Sequence, residues 1–483
     1  MAFFWLAVSL FAQSTIARDP VADFCRRWGH QSAVIEDRLF IDGGYVNWGP
    51  IGDNPENYTN EWFLYHDLSS SAAEGMPPMK TLTKNTTVPD VIGGALWPDT
   101  LNKRLFLFGG EVDPRSPPPT GYSLFAFDAL HDYWEEIGRP DIHLNSPSFG
   151  GSVAVPERGL GFYYGGWLNN GTVPGWSGAQ MATNSLIVFD MDERTWRNKT
   201  GPDNIGRAEG VMVYIPAGDN GFLVYFGGIQ DQNGNETYKA QPMDEILLFD
   251  FVADKWYTEK TYGPTPDARR RFCAGAAWAQ DYSSYNIYLF GGLGIPPNDT
   301  AIDDVWILTM PSFQWMKWHP EPENGPNGEH PHHSLTCNVV GGGSQMLIIG
   351  GSFPYERDCD SASHYGAHGL YLGQQNEGKR KWETYNESLQ VYEVPDIIID
   401  AVGGGRTGGA TATAPSSGFA NADLAVLMTR TASASTRTAT RDVSINPEGN
   451  NGISTGAIIG IAVGGAAVLI TGLVLGWRCL RRR

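Results

Sequence analysis

Five histidines gather late in the chain: His330, His332, His333, His364 and His368, with Tyr365 between the last two. Imidazole and phenolate are donors that copper(II) takes in tetragonal N,O geometry. His332-His333 precede one apolar run and His364 and His368 follow it, so the set could converge at one end of a folded unit. The same residues also read as ordinary loop and strand-cap histidines. Other reaction signatures are missing: no Gly-x-Ser-x-Gly, no P-loop, no His-Glu-x-x-His and no Cys-x-x-Cys. No catalytic, cofactor-binding or metal-binding residue is assigned, and no cofactor is expected.

The remaining chemistry-bearing residues suit binding. Tyr45, Trp48, Trp62, Trp167 and Trp176 fall in the loops. There they either grip a sugar or peptide, or pack between repeated units. Arg269-Arg270-Arg271 is the one cationic cluster of the central region and reads as a solvated loop. Net charge is −19, with no basic stripe, which argues against DNA or RNA as partner.

The elements that position these residues repeat. Six Gly-Gly doublets end short apolar runs: Gly43-Gly44, Gly109-Gly110, Gly165-Gly166, Gly227-Gly228, Gly291-Gly292 and Gly350-Gly351. Their steps are 66, 56, 62, 64 and 59 residues, a period of repeated supersecondary units. The preceding β-branched and aromatic residues read as a buried strand. Paired glycines there allow positive φ and close backbone approach. A polar loop follows, then an apolar strand such as Ser123–Asp128, Ser185–Asp190 or Glu245–Asp250. A turn and a tryptophan come next: Trp134, Trp196, Trp256, Trp315 or Trp382. Asp128, Asp190 and Asp250 recur with the repeat, as turn-forming side chains do.

This order resembles the kelch repeat, and six copies over residues 28–385 resemble a six-bladed kelch β-propeller of four-stranded blades. Blade one departs from the pattern, with no tryptophan near Met79–Leu82. The ring closes through the strand-like segment Leu389–Ile399, through the N-terminal Val21–Trp28, or through a partial seventh blade built from both. Galactose-oxidase-like enzymes share the propeller, so the resemblance also implies a copper-radical oxidase as the alternative activity. That site needs two histidines, two tyrosines and a tyrosine–cysteine cross-link.

Four cysteines lie in the exported part: Cys25, Cys273, Cys337 and Cys359. Two disulfides suit an oxidising compartment. Cys337 and Cys359 flank one strand and doublet, which favours their pairing and leaves Cys25 for Cys273.

Both ends point to the secretory pathway. Residues 1–17 read as a signal peptide. The 25 residues Ile453–Trp477 carry no charge, long enough for a core of about 30 Å. The arginines of 478–483 then stay cytoplasmic and argue against a lipid-anchor signal. Residues 18–400 are the propeller ectodomain and 401–452 a disordered Gly/Ala/Ser/Thr tether. Within the tether the apolar island Asn421–Met428 either docks back or is inert. Sequons stand at Asn57, Asn85, Asn170, Asn198, Asn235, Asn298 and Asn386. Gly456, Gly460 and Gly464 could form a dimer face. The architecture resembles surface kelch proteins of filamentous fungi. The expectation is a glycosylated single-pass type I protein at the plasma membrane or another secretory-pathway membrane. Its propeller would bind an extracellular protein or wall glycan without enzymatic activity. The alternatives are the oxidase and a structural propeller without a ligand.

Overall fold

The computed structural model describes residues 18–71, 75–117, 119–232, 234, 237–318, 330–374, 380–433 and 436–444. Residues 1–17 (the expected signal peptide), the segments 453–477 and 478–483, Gly456, Gly460, Gly464 and Asn235 lie outside them. Among the described residues no helix is long and apolar enough to cross a membrane.

Five four-stranded antiparallel sheets follow in chain order. Blade one comprises Gln31–Ile35, Arg38–Asp42, Phe63–Asp67 and Met79–Leu82. Blade two is Val91–Asp99, Arg104–Val112, Leu124–Asp128 and Tyr133–Gly138. Blade three is Gly151–Val155, Leu160–Tyr164, Ser185–Asp190 and Thr195–Thr200. Blade four is Val211–Ile215, Phe222–Phe226, Glu245–Asp250 and Lys255–Lys260. Blade five is Cys273–Trp278, Tyr285–Phe290, Val305–Met310 and Gln314–Trp318. Blade six departs from the expected four strands. Thr336–Val340, Gln345–Ile349 and Ala367–Tyr371 pair, and the outer position is a single bridge, Gly369 to Glu383.

The first strands of successive blades pack side by side, and Thr336–Val340 meets Gln31–Ile35 to complete the circle. The doublets explain how. All twelve glycines have positive φ. The N–H of each second glycine donates to a carbonyl at the start of the next blade or just ahead of it: Gly44 to Val91, Gly110 to Pro147, Gly166 to Arg207, Gly228 to Arg269, Gly292 to His332 and Gly351 to Arg27. The sixth of these bonds returns to the N-terminal arm. A side chain is excluded at Gly165, where an added Cβ would lie 2.2 Å from the Arg207 carbonyl oxygen.

Aromatic side chains fill the blade interfaces. The outer tryptophan of each blade meets an aromatic ring of the preceding blade: Trp134 with Phe63, Trp196 with Phe108, Trp256 with Tyr164, Trp315 with Phe226 and Trp382 with Phe290. Blade one lacks the tryptophan, and Met76 and Met79 fill the seam against Leu347, Ile349 and Tyr385 of blade six. The recurrent aspartates are turn-formers. Asp128 accepts the N–H of Leu130 and His131, and Asp190 and Asp250 do the same two and three residues on.

Three expectations need correction. Leu389–Ile399 supplies no strand. Its end belongs to helix α1 (Asp396–Val402), which follows Pro395 and buries Ile398 and Val402 one turn apart. The described residues 401–433 and 436–438 are not a disordered tether. They run against the strand-joining hairpins of one face: Gly409 on Asp281, Arg430 on Asp219 and Arg437 on Asp99, each between a first and a second strand, with Arg437 also on Asp192 between the third and fourth strands of blade three. Helix α2 (Ala422–Leu427), capped by Asn421, buries Leu424 against blades four and five. The disulfides are Cys25–Cys359 and Cys273–Cys337, not Cys337–Cys359 and Cys25–Cys273. Cys273 and Cys337 sit on neighbouring first strands, 5.4 Å apart at Cα. Cys359 lies in a loop 4.5 Å from the N-terminal arm at Cα.

A separate unit starts at Ala439. In its described part the Ser444 N–H donates to Asp442 (2.9 Å).

Candidate functional site: the loop-face funnel

The polar loops after the doublets share one face with the segments leading into the first strands. Three small sheets build this face up. Phe24–Trp28 pairs with Tyr45–Trp48 and Tyr58–Thr59, Trp167–Leu168 with Met181–Ala182, and Gly206–Ala208 with Ile229–Asp231 and Tyr238–Ala240.

At the centre lies a closed ring of backbone hydrogen bonds. Gly29 donates to Ser334, Ser334 to Arg271, Arg271 to Glu209, Glu209 to Phe149, Phe149 to Gly93 and Gly93 to Gly29, each at 2.7–2.8 Å. All six residues have positive φ. Four of them are not glycine, a strained conformation of the kind that concentrates at functional sites. The ring frames a channel of about 340 Å³ whose wall includes Ser32, Trp97, Ser152, Met212, Thr336 and the Cys273–Cys337 disulfide.

The mouth is chemically lopsided. Gly29 and Gly93 leave one side bare. Opposite them Glu209 is buried between Arg270 (2.7 Å), Arg271 (2.6 Å) and the Trp167 indole N–H (3.0 Å). Burial disfavours the Glu209 carboxylate, but Arg271 and Arg270 outweigh it and hold its pKa at about 2. The Arg271 guanidinium lies 4.3 Å from the Phe149 ring. The arginine run is therefore no solvated loop. Arg269 is fully buried on Asp304, and its neighbours serve Glu209. Of the loop aromatics, Trp48 and Trp167 are buried packing residues, Trp62 stands edge-on to Trp48, and Trp176 is half-buried on the rim.

Sequence reasoning missed Phe149, Glu209 and Ser334. A signal existed: the ring residues stand 14 to 20 positions ahead of the first glycine of each doublet. Their side chains share no chemistry, so residue type could not reveal them.

The histidines divide among separate partners. His330 pairs with Glu356, His333 with Ser334, and His364 ends a short turn. His332 stacks on Phe353, with its ring centre 6.0 Å from that of His368. Among the described residues no three His, Cys, Asp or Glu side chains are arranged to hold a metal. Cys25, Cys273, Cys337 and Cys359 are all consumed in disulfides. These residues do not fit a copper-radical centre.

His368 instead pairs with Asp360 at 2.6 Å. Burial opposes the imidazolium, yet Asp360 raises the His368 pKa above its ordinary value. Burial likewise opposes the Asp360 carboxylate, and His368 lowers its pKa. The histidine contributes stability below about pH 6.5, which fades as pH rises through its raised pKa. The aspartate contributes above its ordinary pKa, and that part fades as pH falls through the lowered one. Side-chain NMR is expected to show His368 titrating above an ordinary histidine and shifting down in Asp360→Asn. Titration at or below the ordinary value would contradict the pair.

The six described sequon asparagines, Asn57, Asn85, Asn170, Asn198, Asn298 and Asn386, are all exposed.

Comparison with known proteins agrees with this geometry. Residues 173–368 match the KLHDC2/KLHL20/DRC7 Kelch-repeats domain. A Kelch repeat-containing protein of Arthroderma benhamiae is 30% identical over 459 residues, covering 83% of this chain and 66% of that protein. Human Kelch domain-containing protein 3 is 23% identical over 343 residues, 68% of this chain and 78% of its own length. A solved structure, "Structure of YjhT", aligns with 73% of this chain and 98% of its own at 13% identity and a TM-score of 0.47. The six doublets, the closed ring of first strands, the matching Kelch-repeats domain and the Arthroderma benhamiae relative together show that the chain belongs to the kelch-repeat proteins.

Proposed function

We propose that the chain is a binding module, not an enzyme, and that its loop face docks a protein partner. The observation that carries this reading is the inequality of the two faces. The hairpin face is overlaid by the chain's own residues 401–433 and 436–438, through contacts on Asp281, Asp219, Asp99 and Asp192. The loop face holds a strained ring, a channel mouth and exposed rim aromatics, among them Tyr355 at 61% exposure. Kelch repeats serve protein interaction in general, which supports a protein as the partner. We also infer display outside the cell, from the signal peptide, the sequons and the uncharged 453–477 segment of the sequence. A wall glycan is the alternative occupant.

The test is a peptide and glycan array probed with the full-length protein, followed by rim variants. Tyr355→Ala with Trp176→Ala is expected to weaken binding about tenfold or more. Val252→Ser, on the opposite face and 61% exposed, should leave it unchanged. Equal loss in both variants, or signal on neither array, would overturn the reading. Surface labelling of intact cells, with a mass decrease on enzymatic removal of N-glycans, tests the display.

A further inference from the structure

Arg27 is the least compensated charge in the described structure. It lies on Phe24–Trp28, opposite Val46, at the seam between blades six and one. It has 0% exposure, and its Nε, Nη1 and Nη2 have no hydrogen-bond partner. The Phe24 ring lies 4.9 Å from its guanidinium carbon. Phe24, Val46 and Trp48, with Trp62 and Tyr365, form an apolar wall beside it. A buried cation without a partner is strongly disfavoured, and folded proteins pair or coordinate such groups.

The polar groups nearby do not supply the missing partner. Asp360 spends one oxygen on His368, and its Oδ2 is unpartnered. The neighbouring Arg26, 7% exposed, donates to the carbonyls of Asp358 and Phe353 rather than to a carboxylate. His30 and His66 are buried, and burial, with Arg27 adding to it, lowers their pKa values to about 3 and about 4. They stay neutral at physiological pH and add no charge. Each keeps one ring nitrogen without a partner, Nδ1 of His30 and Nε2 of His66. Glu356 and Asp358 act with Asp360 on Arg26, whereas the charge of Asp360, shared with Arg26 and His368, is the one named carboxylate acting on Arg27, and it makes no hydrogen bond to it.

We propose that this seam binds a monovalent inorganic anion of chloride size at the Arg27 guanidinium, with the His30 Nδ1–H as a second donor. Water would satisfy hydrogen bonds but would not offset the charge. The Phe24 ring, 4.9 Å from the guanidinium carbon, crowds the site and favours a small ion over an organic carboxylate. The anion would join the N-terminal arm, blade one and the loop after the last doublet, beside Cys25–Cys359. It would therefore act where the ring closes.

The test uses the full-length protein. Thermal unfolding is followed as sodium chloride replaces sodium gluconate at constant ionic strength. A saturable rise in Tm of about 2 °C or more is expected, and it should vanish in Arg27→Met. Arg27→Lys, which keeps the charge, covers the case where Arg27→Met does not fold, and it should retain a weakened response. Bromide soaked into wild-type crystals should give an anomalous peak at Arg27. A Tm indifferent to chloride would overturn the proposal. So would a density map with only water at Arg27, or with Arg27 bonded directly to Asp360 Oδ2.

Discussion

Replacing Cys25 and Cys359 together by serine is expected to lower the unfolding free energy by about 4 kcal/mol. The bond joins residues 334 positions apart, so it restricts almost the whole unfolded propeller. The Cys273–Cys337 bond spans 64 positions, and the logarithmic dependence on loop length makes its contribution about 1.5 kcal/mol smaller. Location reinforces the difference. The N-terminal arm carries the Arg27 carbonyl, which accepts the sixth doublet bond from Gly351 at 2.7 Å. No strand of one terminus completes a blade of the other among the described residues. The arm, its disulfide and the Tyr385 N–H bond to Gly75 therefore hold blade six to blade one. Denaturant unfolding of the two double-serine variants checks the order. Non-reducing peptide mapping should recover the pairs 25–359 and 273–337. A 337–359 peptide, or a larger loss from the shorter loop, would contradict this account of closure.

The propeller was legible because its signals are local and recur. Each doublet needs glycine for two physical reasons at once, positive φ and a neighbouring carbonyl, so residue type and structure coincide six times. The outer tryptophans are similarly legible, since a large ring at a fixed position has one place to go. What remained hidden depends on partners remote in sequence. Ile397-Ile398-Ile399 looks like a strand because it is β-branched, and only a core one helical turn deep selects Ile398 and Val402. The run 401–438 has too few apolar residues for its own core, which correctly says that it cannot fold alone. It does not say that Leu424 finds a slot prepared by blades four and five. Arg269, Arg270 and Arg271 look like a solvated run, yet each meets a carboxylate that spacing could not place beside it. The funnel was least legible of all, because Gly29, Gly93, Phe149, Glu209, Arg271 and Ser334 share a backbone conformation and no chemistry.

Arg437→Ala is expected to cost about 3 kcal/mol, a large effect for a residue in a stretch that reads as linker. Its guanidinium, 7% exposed, donates to both oxygens of Asp99 (2.9 and 2.8 Å), to both of Asp192 (2.7 and 2.7 Å) and to the Pro156 carbonyl (2.7 Å). Asp99 is 1% exposed, so truncation leaves a buried carboxylate with Asn102 as its remaining named donor. That stranded charge, more than the lost attraction, sets the size of the effect. A second substitution separates the two. Asp99→Asn in the Arg437→Ala background removes the stranded charge and should recover part of the loss. The pH dependence carries an independent signature. Hydrogen bonding and charge from Arg437 lower the Asp192 pKa, against a smaller opposing effect of burial. Asp192 therefore contributes stability above its ordinary pKa, and the contribution is lost as pH falls through the lowered value. In Arg437→Ala that part of the acid limb should flatten. Limited proteolysis gives the structural readout, with cleavage between 403 and 433 appearing earlier in the variant than in the parent. A loss under about 0.5 kcal/mol, with unchanged proteolysis, would mean that Arg437 does not hold the C-terminal segment to the hairpin face, and the argument for a single open docking face would fall with it.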